Sequence, residues 1–234
     1  DHRVEIHGTG YSKIIFGADT AGKWEKHLDL MVESIAANGG RACVNASAVW
    51  TPSHADAIAE GIARKFVTMK PRPWDDPNCE ISAFAKPEVA EAINNMIDEA
   101  LKTPGARDVT QEMRGTPRLV KDGRIAYLLP TVVRCESPEH PLANKEFLFP
   151  FASVIECPQD DILHRIGYTL AASVLTDDSG FVADSMACSH IERLNVGPLP
   201  TNRLTWDQPH EGNLFTHLYK QRAFNKAELS GSKP

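Results

Sequence analysis

What most limits the fold of this chain is the way short apolar runs alternate with stretches whose apolar residues recur at helical spacing. Residues 12–17 (SKIIFG) form an apolar run bounded by glycines, the pattern of a buried strand. Trp24, Leu28, Met31 and Ile35 then recur at helical spacing up to Asn38-Gly39-Gly40, where glycine accepts the left-handed conformation that ends a helix. A second strand is expected over residues 46–50. A helix opened by Pro52-Ser53 carries Ile58, Ile62 and Phe66 on one face. Residues 67–86, with Pro71, Pro73 and Pro77, read as an irregular connection. Pro87 suits a first helical turn, followed by the stripe Val89, Ile93 and Ile97. After a Gly/Arg-rich stretch, strands are expected at residues 125–133 and 149–155, a helix at 160–166, a strand at 171–175, a helix at 179–188 and a strand at 193–196. The last forty residues read as loop-rich. Repeated strand and helix units with short loops predict an α/β fold of three layers, αβα, with a mostly parallel sheet and helices on both faces.

The 234 residues, 42% hydrophobic and 24% charged, suffice for one substantial core. Residues 1–227 read as one domain and residues 228–234 as a polar tail. The net charge of −6 and the absence of a Lys/Arg block argue against nucleic acid as a partner. No apolar run approaches the length a bilayer span requires, so no membrane partner is expected. Cys43, Cys79, Cys135, Cys157 and Cys188 are odd in number and widely spread, without a C-x-x-C pair, and predict reduced thiols, a cytoplasmic location and no bound metal.

One cysteine stands apart. In Asn38-Gly39-Gly40-Arg41-Ala42-Cys43-Val44-Asn45-Ala46-Ser47, Cys43 follows two glycines and precedes a strand, on a tight turn whose backbone N–H groups are expected to face a ligand. A thiolate there, with oxyanion donors beside it, is equipped to attack a carbonyl. The same cysteine also reads as a small buried hydrophobe, which local chemistry alone favours. Pairing of Cys43 with a distant histidine such as His190, His210 or His217 would make a thiol hydrolase instead, but sequence shows no proximity.

The segment NGGRACVNAS resembles the active-site signature of the aldehyde dehydrogenase superfamily, and other segments follow in that family's order. Val4-Glu5-Ile6-His7-Gly8 with the strand after it resembles the family's Glu-Leu-Gly-Gly element; Pro130-Thr131-Val132 resembles its Pro-Thr-Val; Lys145-Glu146-Phe147-Leu148-Phe149-Pro150 resembles its Glu-Glu-Ile-Phe-Gly-Pro. Arg193-Leu194-Asn195-Val196 is similar to its last core strand and Tyr219-Lys220-Gln221 to its Tyr-Lys-x-Ser-Gly. The resemblance implies that Cys43 is the nucleophile of a thiohemiacetal and thioester, that Glu5 activates the hydrolytic water, and that Glu146 and Leu148 contact the nicotinamide ribose and ring of NAD or NADP. It further implies a small aldehyde as substrate, a homo-oligomer, and a loop at residues 206–213 bordering the substrate entrance.

The chain also departs from the family pattern. Glu5 lies farther from Cys43 than the family interval, Ile6 and His7 replace Leu and the first Gly, Leu148 replaces a Phe and Phe149 a Gly. No G-x-G-x-x-G follows a strand, so the chain corresponds to the catalytic portion without a dinucleotide-binding domain. A CoA-acylating relative, which has no need of a water-activating base, and a non-catalytic remnant are the alternatives; the remnant predicts a buried, slow Cys43.

Overall fold

The computed structural model describes residues 8–73, 75–205 and 223–227. Strand β1 (Ser12–Phe16) is buried along its whole length, as expected of a strand with a neighbour on each side and helices over both faces. Helix α1 (Ala18–Ala21), a 3-10 turn (Trp24–His27) and helix α2 (Leu28–Ala36) return the chain to β2 (Ala46–Thr51), which pairs parallel to β1. Trp24, Met31 and Ile35 are buried, as their spacing predicts. Helix α3 (Ala55–Phe66) buries Ile58, Ile62 and Phe66; it starts after Pro52-Ser53, preceded by His54 at φ 65 without a side-chain cap.

The next segment differs from expectation in three places. In α4 (Pro87–Ala100) the inward stripe is Ala90, Ile93 and Ile97, and Val89 is exposed, because the packed face is rotated by one position. The Gly/Arg-rich stretch is structured: β3 (Ala106–Asp108) leads into α5 (Val109–Arg114), where Asp108 accepts the Gln111 N–H at 2.8 Å as an N-cap and Gly115, at φ 70, ends the helix. β4 (Leu119–Asp122) pairs antiparallel with β5 (Ile125–Leu128) as a two-stranded sheet. The single strand expected over residues 125–133 is therefore two. Pro130, which has no N–H to donate, separates β5 from β6 (Thr131–Cys135), and the two belong to different sheets.

The remaining elements are β7 (Phe151–Glu156), α6 (Gln159–Arg165), β8 (Thr169–Leu175), α7 (Ser179–Ala187), β9 (Ile191–Val196) and β10 (Ala223–Lys226). The last of these adds a strand within the final forty residues, read from the sequence as loop-rich, since β10 pairs parallel to β9. The main sheet runs β10-β9-β8-β1-β2-β7-β6-β3, and every pairing is parallel except β3 with β6. Alternate residues feed the two cores. Ile14, Phe16, Val49 and Val154 pack with Met31, Ile35, Ile58 and Ile62 of α2 and α3, while Ile15, Trp50, Ile155 and Val174 pack with Ile93, Ile97, Ile162 and Phe181 of α4, α6 and α7. This is the three-layer αβα arrangement expected from the sequence.

A buried cation fastens the edge of the sheet. Arg118, 1% exposed, donates to Asp108 and Asp98, each at 2.6 Å, and so ties the segment before β4 to α5 and α4. In Arg118→Met the buried Asp108 carboxylate loses its counter-charge. A loss of about 3 kcal/mol in unfolding free energy is expected from urea denaturation.

Candidate functional site

Because β1, β2, β7 and β8 run parallel, the segments entering them lie along one edge of the sheet, and the candidate residues are found there. The turn between α2 and β2 is built from three consecutive left-handed residues, Asn38 (φ 54), Gly39 (φ 67) and Gly40 (φ 67). Glycine is required at 40 for a second reason: a Cβ there would overlap the Phe149–Pro150 peptide. The turn therefore rests directly on the segment that enters β7.

Asn45 shapes the next step. Its Nδ2 donates to Ser34 O (3.1 Å) and Ala37 O (3.0 Å), its Oδ1 accepts the Ala42 N–H (2.8 Å), and its own N–H returns to Ala42 O (2.8 Å). One of the backbone donors expected to face a ligand is thus consumed internally. Arg41 reaches across, with Nε donating to Leu148 O (3.1 Å), Nη2 to Ser82 O (3.1 Å) and Ala83 O (2.9 Å), and the guanidinium lying 4.4 Å from the centre of the Phe84 ring. The Cys43 carbonyl accepts the Ser12 hydroxyl at 2.8 Å and abuts Gly10, where any Cβ would overlap it. Cys43 itself is partly exposed, beside a small cluster of Val44, Leu170 and Ala171. The residue as a whole is intermediate in exposure, not fully buried.

Glu146 closes the arrangement from the β7 side. Its Oε2 accepts the Tyr11 N–H at 2.6 Å, and the Gly10 N–H also donates to the carboxylate. Tyr11 takes a left-handed φ of 48, so that two successive N–H groups converge on one anion. Burial pushes the Glu146 carboxyl up, opposed by these two backbone donors and by the charge of Lys13. Lys13, 1% exposed, donates to Tyr11 O (2.6 Å), Tyr168 O (3.2 Å) and Thr169 Oγ1 (3.2 Å), which satisfies its three protons. Burial lowers its ammonium to about 7, with Glu146 pulling the other way.

Cys43, Glu146 and Leu148 are therefore brought to one edge, with the Leu148 side chain 55% exposed. Glu5, His210, His217, residues 206–213 and 219–221 and the tail at 228–234 lie outside the described residues. His190 is placed against Cys188 rather than Cys43. Lys13, Arg41 and Asn45 were not anticipated in these roles. Lys13 had a signal, since a charge inside an apolar run destined for a central parallel strand needs buried acceptors.

A family model described as the aldehyde dehydrogenase family matches residues 2–215. No curated protein matches the chain. Among solved structures, lactaldehyde dehydrogenase from Escherichia coli aligns at TM-score 0.69 and 14% identity over 88% of this chain and 43% of that one. A glyceraldehyde-3-phosphate dehydrogenase from Methanocaldococcus jannaschii complexed with NADP aligns at 0.69 and 14% over 88% and 44%. A putative aldehyde dehydrogenase from Burkholderia cenocepacia aligns at 0.67 and 19% over 88% and 42%. At these identities the likeness is one of fold, and the chain spans less than half the length of each.

Gly40→Ala combines a left-handed φ with a backbone overlap, and should cost at least about 2 kcal/mol in denaturant titrations and slow alkylation of Cys43. Lys13 yields a pH dependence. Its pKa is about 7 folded against an ordinary 10.5. Between those values the unfolded chain binds more protons, so stability rises with pH through this window, by up to about 1.4 kcal/mol per pH unit, and is lost as pH falls toward 7. Urea midpoints at about pH 7 and about pH 9 should show this rise in the parent and not in Lys13→Met.

Proposed function

Because the chain belongs to the aldehyde dehydrogenase family, we propose that it supplies the catalytic portion of an NAD(P)-dependent oxidation of a small aldehyde to a carboxylic acid, with Cys43 as the nucleophile. One observation carries this reading. Segments far apart in the chain, around Tyr11, Cys43 and Glu146, are locked together by direct hydrogen bonds at one edge of the sheet, with the partly exposed residue Cys43 among them.

The Cys43 thiolate attacks the aldehyde carbon, forming a thiohemiacetal on sulfur. Asn45, Arg41 and Ser12 hold the turn on which that sulfur is presented, so little conformational freedom remains to be lost on attack. Glu146 and Leu148, at the same edge of the sheet, suit a nicotinamide nucleotide. Two of the acceptor positions of the Glu146 carboxylate are filled by Gly10 and Tyr11, leaving others for ribose hydroxyls, and the exposed Leu148 side chain offers an apolar surface to a flat ring. When bound, a nicotinamide supplies the hydride acceptor by which a thiohemiacetal becomes a thioester. Glu5 is the carboxylate assigned to activate the water that releases the acid. The NADP bound to the Methanocaldococcus jannaschii enzyme supports the choice of nucleotide class.

The intact protein is expected to reduce NAD or NADP in the presence of a short aldehyde and release free acid. Cys43→Ser should lower kcat/KM by about a thousandfold or more. Glu146→Gln should raise the KM for the nucleotide more than it lowers kcat. Near-parental activity in Cys43→Ser would overturn the assignment, and acyl-CoA as the product in the presence of CoA would reassign the release step to thiolysis.

A further inference from the structure

Tyr11 stands in a conformation that its own chemistry disfavours. At a φ of 48 its Cβ crowds the backbone, a strain that glycine would avoid, so neighbouring contacts must hold it there. Regular strand pairing does not. The ladder with β8 begins only at Lys13, opposite Ala172, and the ladder with β2 shifts register between Ser12 and Lys13.

The peptide groups on either side of the Tyr11 Cα are instead pinned one at a time. On the leading side, Gly10 O accepts the Leu170 N–H at 2.8 Å, while the Tyr11 N–H reaches Glu146 Oε2 at 2.6 Å. Gly10 also lies directly against the Cys43 carbonyl. On the following side, Tyr11 O accepts from Lys13 Nζ at 2.6 Å. That nitrogen is anchored in turn at the entry to β8, by Tyr168 O and Thr169 Oγ1, each at 3.2 Å. Peptide groups are planar, so the rotation between these two is the φ and ψ of Tyr11, and holding both groups holds the residue.

The consequence falls on Glu146. With Tyr11 left-handed, the Gly10 and Tyr11 N–H groups converge on its carboxylate. In an extended segment successive N–H groups point to opposite sides, and one of the two donors would be lost. We propose that Lys13 is a positioning residue for nucleotide binding: its side chain holds Tyr11 left-handed, and Tyr11 with Gly10 aims Glu146 at the ribose hydroxyls. This rests on the assignment of Glu146 to the nucleotide ribose. Lys13, 1% exposed, acts through Tyr11 rather than on the nucleotide itself.

Two measurements on the intact protein separate the proposal from that assignment: the Kd for NADH or NADPH by dinucleotide fluorescence, and hydrogen exchange of single amides by NMR. Lys13→Met should weaken nucleotide binding about tenfold, the size of the left-handed penalty of a non-glycine residue, and should speed exchange at Gly10 and Tyr11. Ile14 and Ile15, inside both ladders, should keep their protection, which reports that the fold is kept. Adding Tyr11→Gly, which is left-handed without support, should return Lys13→Met to within about threefold of the parent Kd. In a Glu146→Gln background Lys13→Met should cost little more, because it acts through that carboxylate. Unchanged binding in Lys13→Met, unchanged exchange at Gly10 and Tyr11, or a loss that Tyr11→Gly leaves in place would overturn the proposal. A parent that binds neither dinucleotide would overturn the assignment of Glu146, while exchange at Gly10 and Tyr11 still decides whether Lys13 holds Tyr11.

Discussion

Because β1 is hydrogen-bonded to parallel neighbours on both sides, its leading end is fixed against the leading ends of β2 and β8, and the Cys43 edge takes its geometry from that constraint. Ser12 can reach the Cys43 carbonyl, and Lys13 the carbonyl of Tyr168, only while the register holds. A slip of one residue would send Ile14 and Ile15 to exchange cores and would carry Lys13 to the opposite face. Two buried apolar layers therefore enforce the placement of a polar site that neither layer contains.

The polar groups at that edge show how close backbone approach and charge are combined. Gly10 and Gly40 lack side chains where the chain passes against Cys43 O and the Phe149–Pro150 peptide, so that three separate segments meet at near van der Waals distance. There Tyr11 turns its N–H toward Glu146, and Lys13 holds the next peptide group through Tyr11 O. One residue, Tyr11, is thus gripped at its N–H by the Glu146 carboxylate and at its carbonyl by the Lys13 side chain. That arrangement orients Glu146 without a direct ion pair to Lys13 among the described contacts.

Much of the fold was legible because its signals are local. The apolar run at residues 12–17, the stripes on α2 and α3 and the glycine stop at residues 38–40 each depend on a few neighbours, and each appears where expected. The failures were non-local. Pro130 splits an apparently continuous apolar stretch because its halves join different sheets, and β10 is invisible in a polar context because β9 provides its partner. At the site, Cys43 and Glu146 could be named from ordered motifs, whereas Arg41 and Asn45 act by reaching carbonyls of Leu148 and Ser34, contacts that exist only once the chain has folded. The pairing of His190 with Cys188 rather than Cys43 belongs to the same class.

The central position of β1 has a consequence for synthesis on the ribosome. Its partner β8 lies 156 residues farther along, measured between Lys13 and Thr169. At roughly 5–20 residues per second, about 8–30 s pass after β1 emerges before the strand that covers its second edge has been made. Through that interval an apolar strand presents an open row of peptide groups to any neighbouring nascent chain. Lys13, near the start of that row, keeps its charge in water until β8 arrives, and a charge on an open strand edge is one of the devices that oppose mispairing.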